Sequence, residues 1–287
     1  MDSAWLEMLG AEVRYYQGPE FRTRALEAGS GEPLLLLHGI GGHAETWIRN
    51  VQRLGEHFHV YAIDMLWHGF TSKPLLTDLE TIPRFVDHIL DFFEAAGIDS
   101  AHVEGESLGG WIAMRLALWH PERVRRLVIN TTAGWPIDGK PSLPPGLAER
   151  SMKAIADVQR DYIKSRMEWL VSQPERMTDE MVDVRYRIWK DPDTRQALEN
   201  LFRAHLVDGT PKVKFDIQPD EAAQIKPPAM VLWTDKNPGD GPEVGRDIAA
   251  HIPGSQFALI EDSGHWPQFE HPEEHDRIVT EFLLGGK

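Results

Sequence analysis

The sequence predicts an α/β fold, a mostly parallel, doubly wound sheet with an inserted helical cap. Three observations carry that expectation. Continuous apolar runs recur along the chain: Leu34 to Leu37, Val60 to Ile63, Leu127 to Ile129, Met230 to Trp233 and Phe257 to Ile260. Runs without polar alternation suit strands buried on both faces of a parallel sheet. Helical patterns separate them, and alternation of the two element types implies a doubly wound sheet. The third observation is a break in that rhythm from about Thr132 to Asp208, where helical stretches follow one another without strands.

Taken in order, the chain begins with Glu12 to Tyr16 and Phe21 to Ala25, joined by Gly18-Pro19. These read as an antiparallel hairpin at the sheet edge. Ile82, Phe85, Val86, Ile89, Leu90 and Phe93 have helical spacing, and Gly97 stops that helix. Ala101-His102-Val103 is a short strand, and Trp111 to Leu118 is a good helix former. After the strand ending at Asn130 comes a proline-rich entry, Pro136 to Pro145, and then the helical region, in which Ala197, Leu198, Leu201 and Phe202 form one apolar face. The expected organisation is a core of residues 1–131 and 209–287, with a cap of residues 132–208 inserted after the sixth strand. Caps of this kind cover a site and choose its substrate.

Composition narrows the function. The chain has 287 residues, 41% hydrophobic and 26% charged, as in an ordinary soluble globular protein. Its net charge of −15 argues against nucleic acid or an anionic membrane surface as partner. The absence of cysteine excludes disulfides, thiol catalysis and cysteine-bound metal. The start, Met1-Asp2-Ser3-Ala4-Trp5, lacks a signal-peptide pattern, and no apolar run approaches a membrane span, so a cytoplasmic location is expected.

The chemistry centres on Gly105-Glu106-Ser107-Leu108-Gly109, a G-x-S-x-G pattern between a strand and a helix. A sharp turn there exposes the serine oxygen, and the helix N-terminus lends N–H groups to developing negative charge. Ser107 is therefore the expected nucleophile. A serine hydroxyl needs a base within hydrogen-bond reach. His265, in Asp262-Ser263-Gly264-His265-Trp266 just after the last strand, is singled out among 13 histidines by its place at a strand's carboxyl end. Leu108 supplies one oxyanion-hole N–H, and Ile40 or Gly41, in His38-Gly39-Ile40-Gly41-Gly42, supplies the other. An acid to orient His265 belongs in Thr234 to Asp240, where sequence alone leaves the choice open. His271-Pro272-Glu273-Glu274-His275 matches H-x-x-E-H, but its proline marks a helix start, and no metal is expected there.

The order nucleophile, acid, histidine, with the His38-Gly39 loop before them and a cap between, resembles the α/β-hydrolase fold across nearly the whole chain. A closer resemblance is to the meta-cleavage-product hydrolases, bacterial enzymes that split a carbon–carbon bond in vinylogous 1,5-diketones formed by aromatic ring cleavage. It rests on Ala62 to Leu66 with Thr71 to Pro74, on Arg49-Asn50-Val51, on Gly264-His265-Trp266, on Glu270 to Glu273, and on Thr178 to Met181 followed by Arg185. The resemblance implies that Arg185 binds the dienoate carboxylate, whose geometry its planar fork matches. It implies that His265 activates Ser107 or assists dienol tautomerisation, that Ser107 or water attacks the ketone, and that Trp266 lines the pocket. It implies no metal and no organic cofactor, a small-molecule substrate and, as a hint, a homodimer. The chain departs from that family in places. Glu106 stands where asparagine is usual, the acid slot falls on Asn237 with Asp240 three residues on, Trp67 and His68 replace small residues, and the His38 to Gly42 loop lacks a common proline. Carbon–carbon hydrolysis, ester hydrolysis with the same Ser–His apparatus (favoured by Glu106) and a ligand-binding member without turnover are the three functions compatible with the sequence.

Overall fold

A computed structural model describes residues 3–76, 80–137, 140, 141, 144, 146–207 and 215–286. Its centre is an eight-stranded sheet in the order β1-β2-β4-β3-β5-β6-β9-β10. The strands are β1 (Glu12–Gln17), β2 (Arg22–Ala28), β3 (Pro33–Leu37), β4 (His59–Ile63), β5 (Ala101–Glu106), β6 (Val124–Asn130), β9 (Ala229–Thr234) and β10 (Gln256–Ile260). Between β6 and β9 lies a small antiparallel pair, β7 (Pro136–Ile137) and β8 (Lys140–Pro141). β1 pairs antiparallel with β2, and β2 with β4. All other pairings of the large sheet are parallel.

Burial explains which runs became central strands. Leu34, Leu35, Leu36 and Leu37 of β3 are wholly buried between β4 and β5. Each such leucine contributes about 1.5–3 kcal/mol over an exposed one. β1, by contrast, is exposed at five of its six residues and forms the edge. The helix Thr81–Ala96 ends at Gly97, whose φ of 69° is the left-handed cap that glycine adopts without strain.

The region between β6 and β9 holds the helices Leu147–Ala156, Arg160–Glu168, Asp179–Trp189 and Pro192–Leu206. Leu198, Leu201 and Phe202 are buried, as their spacing predicts. Part of the proline-rich entry (138, 139, 142, 143 and 145) and the expected cap boundary at Asp208 lie outside the described residues. Among the described residues, no helix is long and apolar enough to cross a membrane.

Candidate active site

Ser107 sits at the turn from β5 into the helix Leu108–Trp119 with φ 56° and ψ −118°. A non-glycine residue in that region costs on the order of 1–3 kcal/mol and persists only where its surroundings impose it. Here its N–H donates to the Asn130 carbonyl at 3.1 Å, and its own carbonyl accepts from Ala133 N–H at 3.0 Å. The flanking glycines are required by close approach. A Cβ on Gly105 would lie 2.2 Å from the Gly109 carbonyl oxygen, and one on Gly109 would lie 2.3 Å from that of Leu37.

The oxyanion loop is shaped by two buried histidines. His38 Nδ1 donates to the Gly39 carbonyl at 2.8 Å, so its Nε2 accepts Met65 N–H at 3.1 Å. His68 repeats the device, with Nδ1 on the Leu66 carbonyl at 2.8 Å and Nε2 accepting Gly41 N–H at 3.0 Å. Both rings must be neutral to accept. Burial provides this, holding His38 well below its usual range and His68 at about 3. The sequence left Ile40 and Gly41 open as oxyanion donors. With Gly41 N–H committed to His68, Ile40 is the loop residue left for that place. Leu108, as first residue of its helix, has an N–H without an intrahelical partner. Ile40 and Leu108 both line one cavity with Ser107, Glu106, Asn237, Asp240, His265 and Trp266.

His265 has partners on both ring nitrogens. Nδ1 lies 2.7 Å from Asn237 Oδ1. The amide's orientation is fixed because Asn237 Nδ2 donates to the Asp240 carbonyl at 3.0 Å. Of the three candidates that the sequence leaves open in this loop, Asp235, Asn237 and Asp240, Asn237 meets the histidine and Asp240 contributes its backbone carbonyl. Asp235 is solvent-exposed. On the other side, Nε2 lies 3.0 Å from Glu106 Oε1. Among the described residues no hydrogen bond joins Ser107 to His265, and the group in ion-pair contact with that nitrogen is the buried Glu106 carboxylate. Gly39 backs this arrangement: a Cβ there would come within 2.9 Å of both Glu106 carboxylate oxygens and of Ser107 Cβ.

Gly264 serves packing more than a tight turn. A Cβ on it would lie 2.7 Å from the Leu170 carbonyl oxygen and from Ser172 N in the cap. His265 N–H donates to that Leu170 carbonyl at 2.6 Å. Glu270 completes the clamp, accepting Gly264 N–H at 2.7 Å and Ser172 N–H at 2.8 Å. The cap thus fixes the backbone that carries the histidine.

Arg185 is wholly buried in the stripe Met181, Val182, Arg185, Ile188 and Trp189 of its helix. Its Nε donates to His43 Nε2 at 3.4 Å, and both Nη atoms have no hydrogen-bond partner. The guanidinium lies 5.0 Å from the Trp266 ring centre. Burial, with the field of Arg166 added, lowers it to about 9. Arg166 itself was not anticipated. It lines the cavity, donates from Nε to Ser151 Oγ at 2.9 Å and from Nη2 to the Ile40 carbonyl at 3.1 Å. Its only sequence signal is a place in the stripe Ile163, Arg166, Met167, where an apolar residue would be ordinary.

The H-x-x-E-H residues do not converge. His271 Nε2 meets the Asp262 carbonyl at 3.0 Å, and His275 is enclosed by Glu104 and Asp276. Among the described residues, no cluster of three His, Cys, Asp or Glu side chains suits a metal.

Comparison with known proteins matches residues 32–272 to the alpha/beta hydrolase fold family. The chain belongs to that family. This α/β hydrolase is 28% identical to a 2-hydroxy-6-oxo-6-(2'-aminophenyl)hexa-2,4-dienoic acid hydrolase of Metapseudomonas resinovorans, covering 98% of this chain and 92% of that one. It is 30% identical to a 2-hydroxy-6-oxononadienedioate/2-hydroxy-6-oxononatrienedioate hydrolase of Burkholderia vietnamiensis, covering 93% and 92%. The 2-hydroxy-6-oxo-6-phenylhexa-2,4-dienoate hydrolase of Rhodococcus sp. strain RHA1 shares the fold with a TM-score of 0.84 at 24% identity, over 96% of this chain and 100% of that one.

Proposed function

We propose that this α/β hydrolase cleaves a carbon–carbon bond in a 2-hydroxy-6-oxo-hexa-2,4-dienoate, a meta-cleavage product of aromatic degradation. The observation that carries this is Arg185. A guanidinium with no exposure and two unpartnered Nη atoms is costly unless a ligand satisfies it. Arg185 does not itself line the cavity that holds Ser107, but Trp266 beside it does, and a carboxylate reaching past Trp266 would satisfy the guanidinium. The named activities of the relatives support the same reading.

In this reading Arg185 anchors the dienoate carboxylate. His265 moves the proton that converts dienol to ketone. Ser107, or water, adds to the ketone carbon, and the oxyanion rests on the N–H groups of Leu108 and Ile40. Cleavage then releases a 2-hydroxydienoate, and the acyl group leaves as a carboxylic acid, directly where water adds or after water hydrolyses the ester where Ser107 adds. Residues 1–131 and 209–287 form the core, and 132–208 form the cap that closes over a small-molecule substrate. A homodimer is the assembly the family resemblance hints at, and sedimentation would measure it; the cytoplasm is the proposed location.

Arg185→Ala tests the anchor. Loss of a buried charge-assisted contact costs about 2–5 kcal/mol, so KM for the dienoate should rise by roughly 30-fold or more. A neutral p-nitrophenyl ester should be little affected. Equal effects on both would demote Arg185 to scaffold. Ester hydrolysis is the second reading, favoured by the Glu106 carboxylate, which would repel an anionic substrate entering the cavity.

A further inference from the structure

We propose that Glu106 is the charge partner of His265, so that the carboxylate missing from position 237 acts from the opposite side of the imidazole. The proposal deepens the hydrolase reading above and rests on it for its substrate.

Proton accounting on the ring carries it. Asn237 Nδ2 is committed to the Asp240 carbonyl, so Oδ1 faces Nδ1 at 2.7 Å, and an amide oxygen only accepts. Nδ1 therefore bears hydrogen. Nε2 lies 3.0 Å from Glu106 Oε1, and an ionised carboxylate also only accepts. Two bare lone pairs at that distance would repel, so one further proton belongs to the Nε2–Oε1 ion pair, whichever of the two atoms holds it. An amide steers the ring but adds no charge to steady imidazolium. The carboxylate that can do this is Glu106, which is 1% exposed.

The surroundings suit a carboxylate that changes partners. Glu106 Oε2 is buried with no hydrogen-bond partner. Positive charge faces Glu106 from two cap helices, through Arg166 and Arg185. Asp216, Asp240 and His205 line the same cavity. In the resting arrangement His265 serves Glu106. When substrate enters, the shared proton passes from the pair to the carbon of the bound dienolate as it becomes the ketone, which leaves neutral Nε2 free to receive the Ser107 proton beside an ionised Glu106. Glu106 is thus a positioning residue that acts through His265.

Carboxylate relocation tests this. Glu106→Gln, nearly the same shape, should lower kcat about 100-fold, the low end for a general acid–base contribution. The pH profile of kcat should differ between wild type and Glu106→Gln, because a carboxylate has been removed from the base. Adding Asn237→Asp to Glu106→Gln returns a carboxylate to the ring and should recover at least tenfold of the loss. If glutamine is not tolerated, Glu106→Asp and Glu106→Asn form a second matched pair, the first expected to keep the wild-type shape of the pH profile and the second to lose it. The ¹⁵N resonance of His265 Nε2 needs no substrate and should move between wild type and Glu106→Gln at fixed pH. An unmoved resonance with an unchanged pH profile, or a double variant as slow as Glu106→Gln, would overturn the proposal. Because the resonance is read without turnover, an inactive wild type would count against the substrate reading and leave this one decidable.

Discussion

Two histidines in this molecule are each gripped by a glutamate of β5, and the difference between them separates scaffold from chemistry. His275 is fully buried, with Glu104 2.7 Å from Nε2 and Asp276 2.9 Å from Nδ1. Although burial alone would lower it, these two carboxylates raise it to about 10, so the ring stays an imidazolium at neutral pH. Two positions along the strand, Glu106 meets one nitrogen of His265, whose other nitrogen has only the amide of Asn237. It also opens onto the cavity that holds Ser107. Two carboxylates lock a proton in place. One carboxylate and an amide leave a proton that can be passed on.

The comparison predicts different consequences for the two sites. The largest lies beside His265. Ser107→Ala should lower kcat on the order of 10⁴-fold or more, with the fold retained by circular dichroism. Unchanged turnover would remove Ser107 from the chemistry and leave His265 without its expected client. Next comes the scaffold. His275→Gln leaves Glu104 buried and uncompensated, which costs about 3–5 kcal/mol. Urea unfolding should show that loss, while kcat per folded molecule stays the same. A variant that keeps its stability but loses turnover would invert the two roles.

The pH dependence of stability sharpens the same contrast. A group whose pKa is raised on folding contributes stability that is full below its unfolded value and lost as pH climbs through its folded value. For His275 that window runs from 6.5 to about 10. Wild type should therefore lose stability across it relative to His275→Gln, and parallel curves would refute the assignment. The smallest effect concerns the loop at 234–240. Asn237→Ala removes the acceptor on Nδ1 and should slow kcat about tenfold, the scale of one net hydrogen bond. Asp240→Ala keeps the backbone carbonyl that orients Asn237 and should slow it less. The reverse order would move the orienting role to Asp240.

Much of this was legible in the sequence. Leu34 to Leu37 announced a buried parallel strand because no polar residue interrupts it. Gly105 and Gly109 announced a crowded elbow, and their backbone contacts are indeed too close for any Cβ. His265 was marked by its place after the last strand. What escaped was pairing across the fold. Nothing near Glu106 in the chain says that its carboxylate, not Ser107, would take His265 Nε2, because the partners are far apart in sequence. His68 read as a bulky substitution in the pocket, yet it holds Gly41 N–H and so removes one of two oxyanion candidates. Arg166 lies in Arg160–Glu168, a strongly charged stretch that resembles any solvated helix until the cap folds over the cavity. Arg185 could equally have been a surface arginine, and only burial distinguishes it.

The most direct test of the account is turnover of a 2-hydroxy-6-oxo-hexa-2,4-dienoate, followed by loss of its visible absorbance, beside a p-nitrophenyl ester and with Ser107→Ala as the blank. Efficient dienoate cleavage, poor ester turnover and an inactive blank are the predicted result. Ester turnover without dienoate cleavage would contradict the carbon–carbon reading and make Glu106 the mark of a different specificity.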